Sequence, residues 1–385
     1  MTGWSLRYTQ TPLFDNCKRC LIEMGSIMTT EMTSLEGSNL PEEGREITIK
    51  DIARICGVGV STVSRAINNH PEINPVTKKL IMDAIQKYGY IPNNSARNLK
   101  LTDVKCIAVL IKGITNPVFS SMLRIIEEEV EKKHYSLVLR HVEYAQDEVD
   151  VALELIKEKR LRGIIFLGGH FEHSEDRLAK ITIPFVIATA GCIPKNMSRK
   201  LYSSVTVDDE KEGYEMTRYL ISLGHKKIAI LAAEDSNASI GHLRLQGYRR
   251  AMDEYGIEVD EELICPMKDN IEYYSMQNGY VMTEELLERR SDVTAIFAIS
   301  DVMAIGACRA IRDKGKNVPQ DIAVAGYDGI DMGKYYYPSI TTIKQPVGEI
   351  AKESILLLFD IISGKKVHEH KVFDAELLIR ESTSL

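Results

Sequence analysis

The sequence predicts a mixed α/β protein: a small all-α helix-turn-helix headpiece followed by a two-lobed, doubly wound α/β body. Three observations predict it. Residues 48–68 read as two short helices joined by a glycine turn. From Lys105 onward, short apolar runs alternate with amphipathic stretches, the pattern of parallel sheets covered by helices on both faces. Roughly eight such strands over about 280 residues exceed one comfortable sheet, so two lobes with a cleft between them are expected.

Thr48 and Asp51 have capping-box spacing, so a helix is expected to start at Thr48, with Ile49, Ile52, Ala53 and Ile55 on one side. Cys56-Gly57-Val58-Gly59 breaks it. A second helix, Val60 to Ile67, turns Val63, Ala66 and Ile67 inward, and presents Ser61, Thr62, Ser64 and Arg65 outward before Asn68 and Asn69. Such a helix enters a DNA major groove with small hydroxyls and one arginine leading. A third helix is capped by Asn74, has Pro75 at its first position and stops at Gly89. Val76, Leu80, Ile81, Ala84, Ile85 and Tyr88 are expected to line its inner face. Residues 89–100 then hold few apolar side chains and are too short for a stable helix in isolation.

In the body, strands are expected at 106–111, 137–142, 163–167, 185–188, 204–208, 228–231, 263–266, 295–299, 322–325 and 340–345, with 372–379 as the last. Helical patterns fall at 119–133, 146–160, 209–223, 243–255, 275–289, 302–314 and 346–363. Lobe one is read as about 103–205 and 346–371, and lobe two as about 206–345 and 372–385.

Composition narrows the class. No run of about 18 apolar residues exists, and no basic stretch leads into an apolar one at the start, so a cytoplasmic protein is expected. Seven scattered cysteines fit reduced thiols better than a disulfide framework. Cys17 and Cys20 have half of a zinc-site spacing with no second pair nearby, and read as plain thiols. No metal and no cofactor is expected. Net charge is −7, but it is unevenly spread. Residues 47–100 carry eight Lys/Arg against three acids, so +5, while residues 1–46 carry −3 and the remainder −9. A basic head on an acidic body suits a protein that meets phosphates at one end only.

Residues 1–46 lack clear periodicity and read as a mostly disordered N-terminal extension, with a short helix at Leu13–Met24 as the alternative. Translation starting at Met28 or Met32 is a further expectation; a full-length intact mass from the native source would end it.

Thr-Ile-Lys-Asp-Ile-Ala at 48–53, followed by Ser-Thr-Val-Ser-Arg-Ala-Ile-Asn at 61–68, resembles the DNA-binding headpiece of the lactose-repressor (LacI/GalR) family. Gly59 departs from it, since the family usually has Ser there; glycine still caps a helix at a cost of about a few tenths of a kcal/mol. The segment Gly89-Tyr90-Ile91-Pro92 through Ala96-Arg97-Asn98-Leu99-Lys100 resembles the family's hinge, assigned here to residues 92–102 after a headpiece of 47–91. The resemblance implies that this hinge folds only on operator DNA, paired with its dimer mate. Leu99 then acts as a wedge in the minor groove, Ala96 lies against the groove, and Arg97 and Lys100 reach phosphates, with Asn94 beside them. The plain alternative is a linker whose leucine packs on the body. In the body, Arg244-Leu245-Gln246-Gly247-Tyr248, Ser300-Asp301-Val302-Met303-Ala304-Ile305-Gly306 and Gly326-Tyr327-Asp328 resemble the family's periplasmic-binding-protein-like sensor. The resemblance runs from about residue 47 to the end of the sequence.

Small molecules bind at the carboxyl ends of strands in such sheets. Asn116, Phe119, Arg244, Asp301 and Asp328 follow apolar runs, and the resemblance implies that positions matching Arg244, Asp301 and Asp328 hydrogen-bond an effector while an aromatic near Phe119 stacks on it. Tyr273 or Tyr274 could form the opposite wall. Carboxylates and an arginine fork beside aromatics suit a polyhydroxylated ring. The plain alternatives are a helix cap for Asp301, a turn for Asp328 and a core position for Phe119. Arg244→Ala is expected to abolish effector response and leave operator binding intact.

The function implied is a transcriptional repressor and not an enzyme. It would bind double-stranded operator DNA as a homodimer through Thr48, Val60, Ser61, Thr62, Ser64, Arg65 and Asn68, with a carbohydrate as effector and no membrane partner. The alternatives are a family regulator that answers to a phosphoprotein corepressor, a solute-binding protein, and an α/β enzyme. No GxGxxG, GxxxxGK[ST] or HExxH motif supports the last.

Overall fold

The computed structural model describes residues 47–67, 69–90, 105–169, 175–189, 201–232 and 239–384. The expectations on residues 1–46, Asn68, the 92–102 hinge with Asn94, Ala96, Arg97, Leu99 and Lys100, and Cys192 lie outside them. The chain divides into two compact units, Met1–Thr102 and Asp103–Leu385.

The head is three helices: α1 (Ile49–Ile55), α2 (Val60–Ile67) and α3 (Pro75–Tyr88). Thr48 caps α1 from outside the helix, and the Asp51 carboxylate accepts from both its backbone N–H at 3.0 Å and its hydroxyl at 2.6 Å. Gly57 takes a left-handed φ of 64°, which a residue with a Cβ rarely adopts, and so turns α1 into α2. Asn74 accepts from the N–H of Val76 at 2.9 Å to start α3, and Gly89 ends it. Ile52, Val63, Ala66 and Ile81 form the buried centre, with Tyr90 against them.

Two side chains expected in that centre are outside it. Val76 is 78% exposed and Leu80 is 52% exposed. At 100° per residue, Leu80 lies about 100° and Val76 about 140° round the helix from Ile81, whereas Ala84, Ile85 and Tyr88 stay within about 60°. The two short helices opposite α3 cover only that narrow stripe.

The body runs β1 (Cys106–Lys112), α4 (Pro117–Lys132), β2 (Ser136–Val142), α5 (Glu148–Glu158), β3 (Gly163–Leu167), α6 (Glu175–Leu178), β4 (Phe185–Ala188), β5 (Ser203–Val207) and α7 (Asp209–Ser222). It continues with β6 (Ile228–Ala232), α8 (Ile240–Glu254), β7 (Ile264–Pro266), α9 (Met276–Arg289), β8 (Ala295–Ala298), α10 (Asp301–Asp313) and β9 (Ala323–Asp328). Last come α11 (Asp331–Tyr335), β10 (Thr341–Lys344), α12 (Val347–Ile362), β11 (His370–Phe373) and β12 (Glu376–Leu378). One sheet has the order β11-β5-β4-β3-β1-β2 and the other β12-β10-β9-β8-β6-β7. All pairings are parallel except β10 with β12. The central strands are buried along their length, as parallel strands between helix layers must be.

The chain passes between lobes three times: after β5, after β10 and after β11. The stretch 372–379, expected as one strand, is two. Val372 and Phe373 pair with Thr206 and Val207 in the first sheet, and Glu376 to Leu378 pair with Lys344 to Thr342 in the second. Asp374 and Ala375 carry the chain across. Among the described residues no helix is long and apolar enough to cross a membrane.

In lobe two, two helix pairs pack backbone to backbone. A Cβ on Gly213 of α7 would lie 2.5 Å from the carbonyl oxygen of Arg244 in α8, and one on Gly247 of α8 would lie 2.1 Å from that of Glu210 in α7. Gly279 and Gly306 repeat this between α9 and α10, at 2.3 Å from Met303 O and 2.0 Å from Met276 O.

Candidate functional site

In the head, the α2 surface is built by its own periodicity. Val63 and Ala66 anchor it inward, so Val60, Ser61 and Arg65 are exposed and Thr62 and Ser64 are half-buried. Thr48 is half-buried beside Asp51. Gly59 leaves room for the usual serine, since its Cβ would meet Ser61 Oγ at 3.5 Å, an ordinary contact. The face is small, polar and cationic.

In the body, a cavity of about 510 Å³ lies between the lobes at the carboxyl ends of their strands. Of the six expected ligand residues, Asn116, Phe119, Arg244, Tyr274 and Asp328 line it. Asn116 caps α4 through the N–H of Val118, and its Nδ2 donates to Asp328 Oδ2 at 3.2 Å across the lobes. Gln345 Nε2 donates to Asp328 Oδ1 at 2.8 Å. Phe119 both lines the cavity and packs into the core of lobe one, so its two readings are not exclusive.

Arg244 is 2% exposed, and its guanidinium is already engaged. Nε and Nη2 contact Asp209 Oδ1 at 2.9 and 2.8 Å, Nη1 donates to the Ile299 carbonyl, and the guanidinium lies 3.4 Å above the Tyr327 ring. Burial, the largest single influence, would lower its affinity for its proton; Asp209 together with Tyr327, Asp328 and Tyr274 outweighs that and holds the cation.

Asp301 is not on the cavity wall. It is wholly buried at the start of α10, and its Oδ2 accepts from the N–H of Ile330 at 2.8 Å. Nor does it cap α10, because Ser300 does so through the N–H of Met303. A carboxylate aimed back into the lobe fastens the 329–330 turn that follows Asp328. Its other oxygen has no hydrogen-bond partner among the described residues and faces Gly326, where a Cβ would lie 2.3 Å away.

Burial, with nearby Asp328 adding, pushes Asp301 up to about 8, and burial pushes Asp328 up to about 6 despite Arg244, Asn116 and Gln345. Both values lie above the ordinary carboxylate value of 3.8, so the folded state holds protons that the unfolded state releases. The stability this contributes is full below about pH 4 and is lost as pH rises through about 6 for Asp328 and about 8 for Asp301. The urea midpoint of the protein should therefore fall between pH 5 and 8.5, at no more than about 1.4 kcal/mol per pH unit per group. Asp301→Asn should flatten the upper part; an unchanged slope in that variant would refute the assignment.

Several lining residues were not singled out in the sequence. Lys112 ends β1 with its Nζ 3.1 Å from Glu148 Oε1 and 2.9 Å from the Gln146 carbonyl, a pair that is almost wholly buried. A lysine directly after an unbroken apolar run was the available signal. Thr189 presents a buried hydroxyl with no hydrogen-bond partner among the described residues. Tyr144 of lobe one is a further such residue, and it stacks on Tyr273 of lobe two, one of the two tyrosines expected at the opposite wall, with centroids 3.8 Å apart and planes 8° apart.

Two family models match the chain: bacterial regulatory proteins of the lacI family over residues 48–93, and the periplasmic binding protein-like domain over residues 217–383. The chain is 43% identical over 338 residues to the HTH-type transcriptional regulator MalR of Clostridium butyricum, covering 87% of this chain and 99% of that protein. It is 33% identical over 340 residues to the HTH-type transcriptional repressor PurR of Pasteurella multocida, covering 87% and 98%. Among solved structures, it is similar to the lac repressor dimer bound to operator and the anti-inducer ONPF, with TM-score 0.69, 26% identity and coverage of 88% and 99%.

Proposed function

Because this chain belongs to the LacI family of bacterial regulatory proteins and is a DNA-binding transcriptional regulator, we propose that it is a cytoplasmic repressor. It binds a pseudo-palindromic operator as a homodimer, and a sugar held between the lobes sets its affinity. The observation that carries the reading is the exposed Val60, Ser61 and Arg65 on α2 of a basic head, in a chain whose body holds a cavity lined by Arg244, Asp328 and Asn116. Val60, Ser61 and Arg65 read base edges, with Arg65 suited to guanine. Thr48, Thr62, Ser64 and Asn68 contact the backbone, and Asn94, Ala96, Arg97, Leu99 and Lys100 form the hinge. Asn116, Phe119, Arg244, Tyr274 and Asp328 hold the effector, and Asp301 positions Asp328. Effector binding shifts the population between two lobe arrangements with different operator affinity.

The test is operator binding by fluorescence anisotropy against the chain's own promoter, with and without sugar. Arg65→Ala should weaken binding by about 1–3 kcal/mol, roughly 5- to 150-fold. The affinity of the unaltered protein should fall steeply with salt. Retention of full affinity by the variant would remove Arg65 from the interface.

The homodimer is supported by large apolar side chains left on the body surface. Tyr335 and Tyr337 are 79% and 81% exposed, with Met332 one turn away on α11. Tyrosines this exposed on one short stretch mark an association surface. Tyr335→Asp with Tyr337→Asp should sediment as a monomer and lose operator affinity. A dimer mass for that variant would place the interface elsewhere.

A further inference from the structure

The cavity has two aromatic levels. Phe119 lies deep, buried in the core of lobe one, near Arg244, Asp328 and Asn116. Tyr144 and Tyr273 are half-buried and meet face to face from opposite lobes. The Tyr273 hydroxyl donates to Asp269, and the Lys112 ammonium lies 5.5 Å from the centre of the Tyr144 ring, so both rings are held in orientation. The C–H-rich face of a pyranose ring lies flat on such aromatic faces. The volume, about 510 Å³, equals about 17 waters at roughly 30 Å³ each, more than one sugar ring with its hydroxyls displaces.

The charges select as well. Lys112 pairs with Glu148 and Arg244 with Asp209, so neither cation is left over for an anion. What remains inside is the Asp328 carboxyl, and of the exposed lining residues Glu143, Asp269 and Glu272 are acids, against His141, Ala145 and Asn270, with His141 beside Glu143. A phosphate or carboxylate entering would meet these like charges in a partly desolvated space, where Coulomb repulsion is strongest. Hydroxyl donors, by contrast, find acceptors in Asp328 and Thr189.

We infer that the cavity takes an uncharged glycan of at least two linked sugar rings, whose inner ring lies beside Phe119, Arg244 and Asp328 and whose outer ring is gripped by Tyr144 and Tyr273. This deepens the effector reading above and rests on it. The outer ring either extends the Tyr144–Tyr273 stack or parts it, and in both cases couples the ligand to the separation of the lobes.

The experiment is calorimetric titration of the full chain with glucose, glucose 6-phosphate, maltose, cellobiose, maltotriose and adenosine, repeated on Tyr144→Ala, Tyr273→Ala and the matching Phe variants. One of the two- or three-ring glycans should bind at least tenfold tighter than glucose. Each Ala variant should lose tenfold or more for that glycan and leave glucose unchanged, while the Phe variants retain the affinity. Glucose binding as tightly as any longer glycan, Ala variants that weaken glucose equally, or glucose 6-phosphate binding tighter than glucose would each overturn the inference and leave the effector reading standing. Adenosine as the sole binder would overturn the inference and the sugar reading with it. Binding of nothing in the panel would sink both.

Discussion

Arg244→Ala is expected to destabilise the body by about 3–5 kcal/mol, because it strands the Asp209 carboxylate in a wholly buried site. The alanine also removes the contact with Tyr327 and the donor to the Ile299 carbonyl. The check is a urea titration of each variant. Replacing both partners, Arg244→Met with Asp209→Leu, should cost less than Arg244→Ala alone, since no unpaired charge remains. A loss under about 1 kcal/mol for the single variant would show that the pair contributes little. An inert Arg244→Ala protein is therefore not proof of lost ligand contact. The comparison with operator and effector must be made where both proteins are folded.

Gly306→Ala is the second large effect. The new methyl would lie 2.0 Å from the Met276 carbonyl oxygen, a backbone atom that cannot swing aside as a side chain would. α9 and α10 must separate, at a cost of about 1–3 kcal/mol or more, read as a lower urea midpoint. Gly348 is the internal control. It sits near the start of α12, where a Cβ meets only Ile125 at 3.6 Å. There alanine should stabilise by up to about 1 kcal/mol, the helix-propensity gain. Equal responses at the two positions would mean that the close approach is not what glycine serves.

The strands were legible because parallel strands buried on both faces read as unbroken apolar runs, and the helices because their caps are local: Thr48 with Asp51, Asn74 with Pro75, Gly89 at the end. What failed was whatever depends on the partner surface. Val76 and Leu80 have the spacing of an inner face, yet the helices opposite are too short to cover them. Asp301 follows a strand as a ligand residue would, but its side chain turns back toward Ile330. The join at Asp374 and Ala375 is too short to announce a change of sheet. In the cavity, Arg244 and Asp328 were legible as charges that follow apolar runs, in stretches that resemble the family's sensor. The Tyr144–Tyr273 stack and the Lys112–Glu148 pair did not, because each exists only once distant segments have met.

The late third crossing bears on how the molecule is made. α12 covers β3, β4 and β5 of lobe one, β11 completes that sheet, and β12 closes the other; Ser382 then donates to the Val324 carbonyl at 2.6 Å and accepts from the N–H of Thr341 at 2.8 Å. Residues 347–383 thus finish both lobes at once. While they are still inside the ribosome, two nearly complete sheets wait with bare edges, and such edges are where chains stick to one another. A codon-usage change that slows translation across residues 347–383 should lengthen that wait and lower the yield of folded protein, with no amino acid altered.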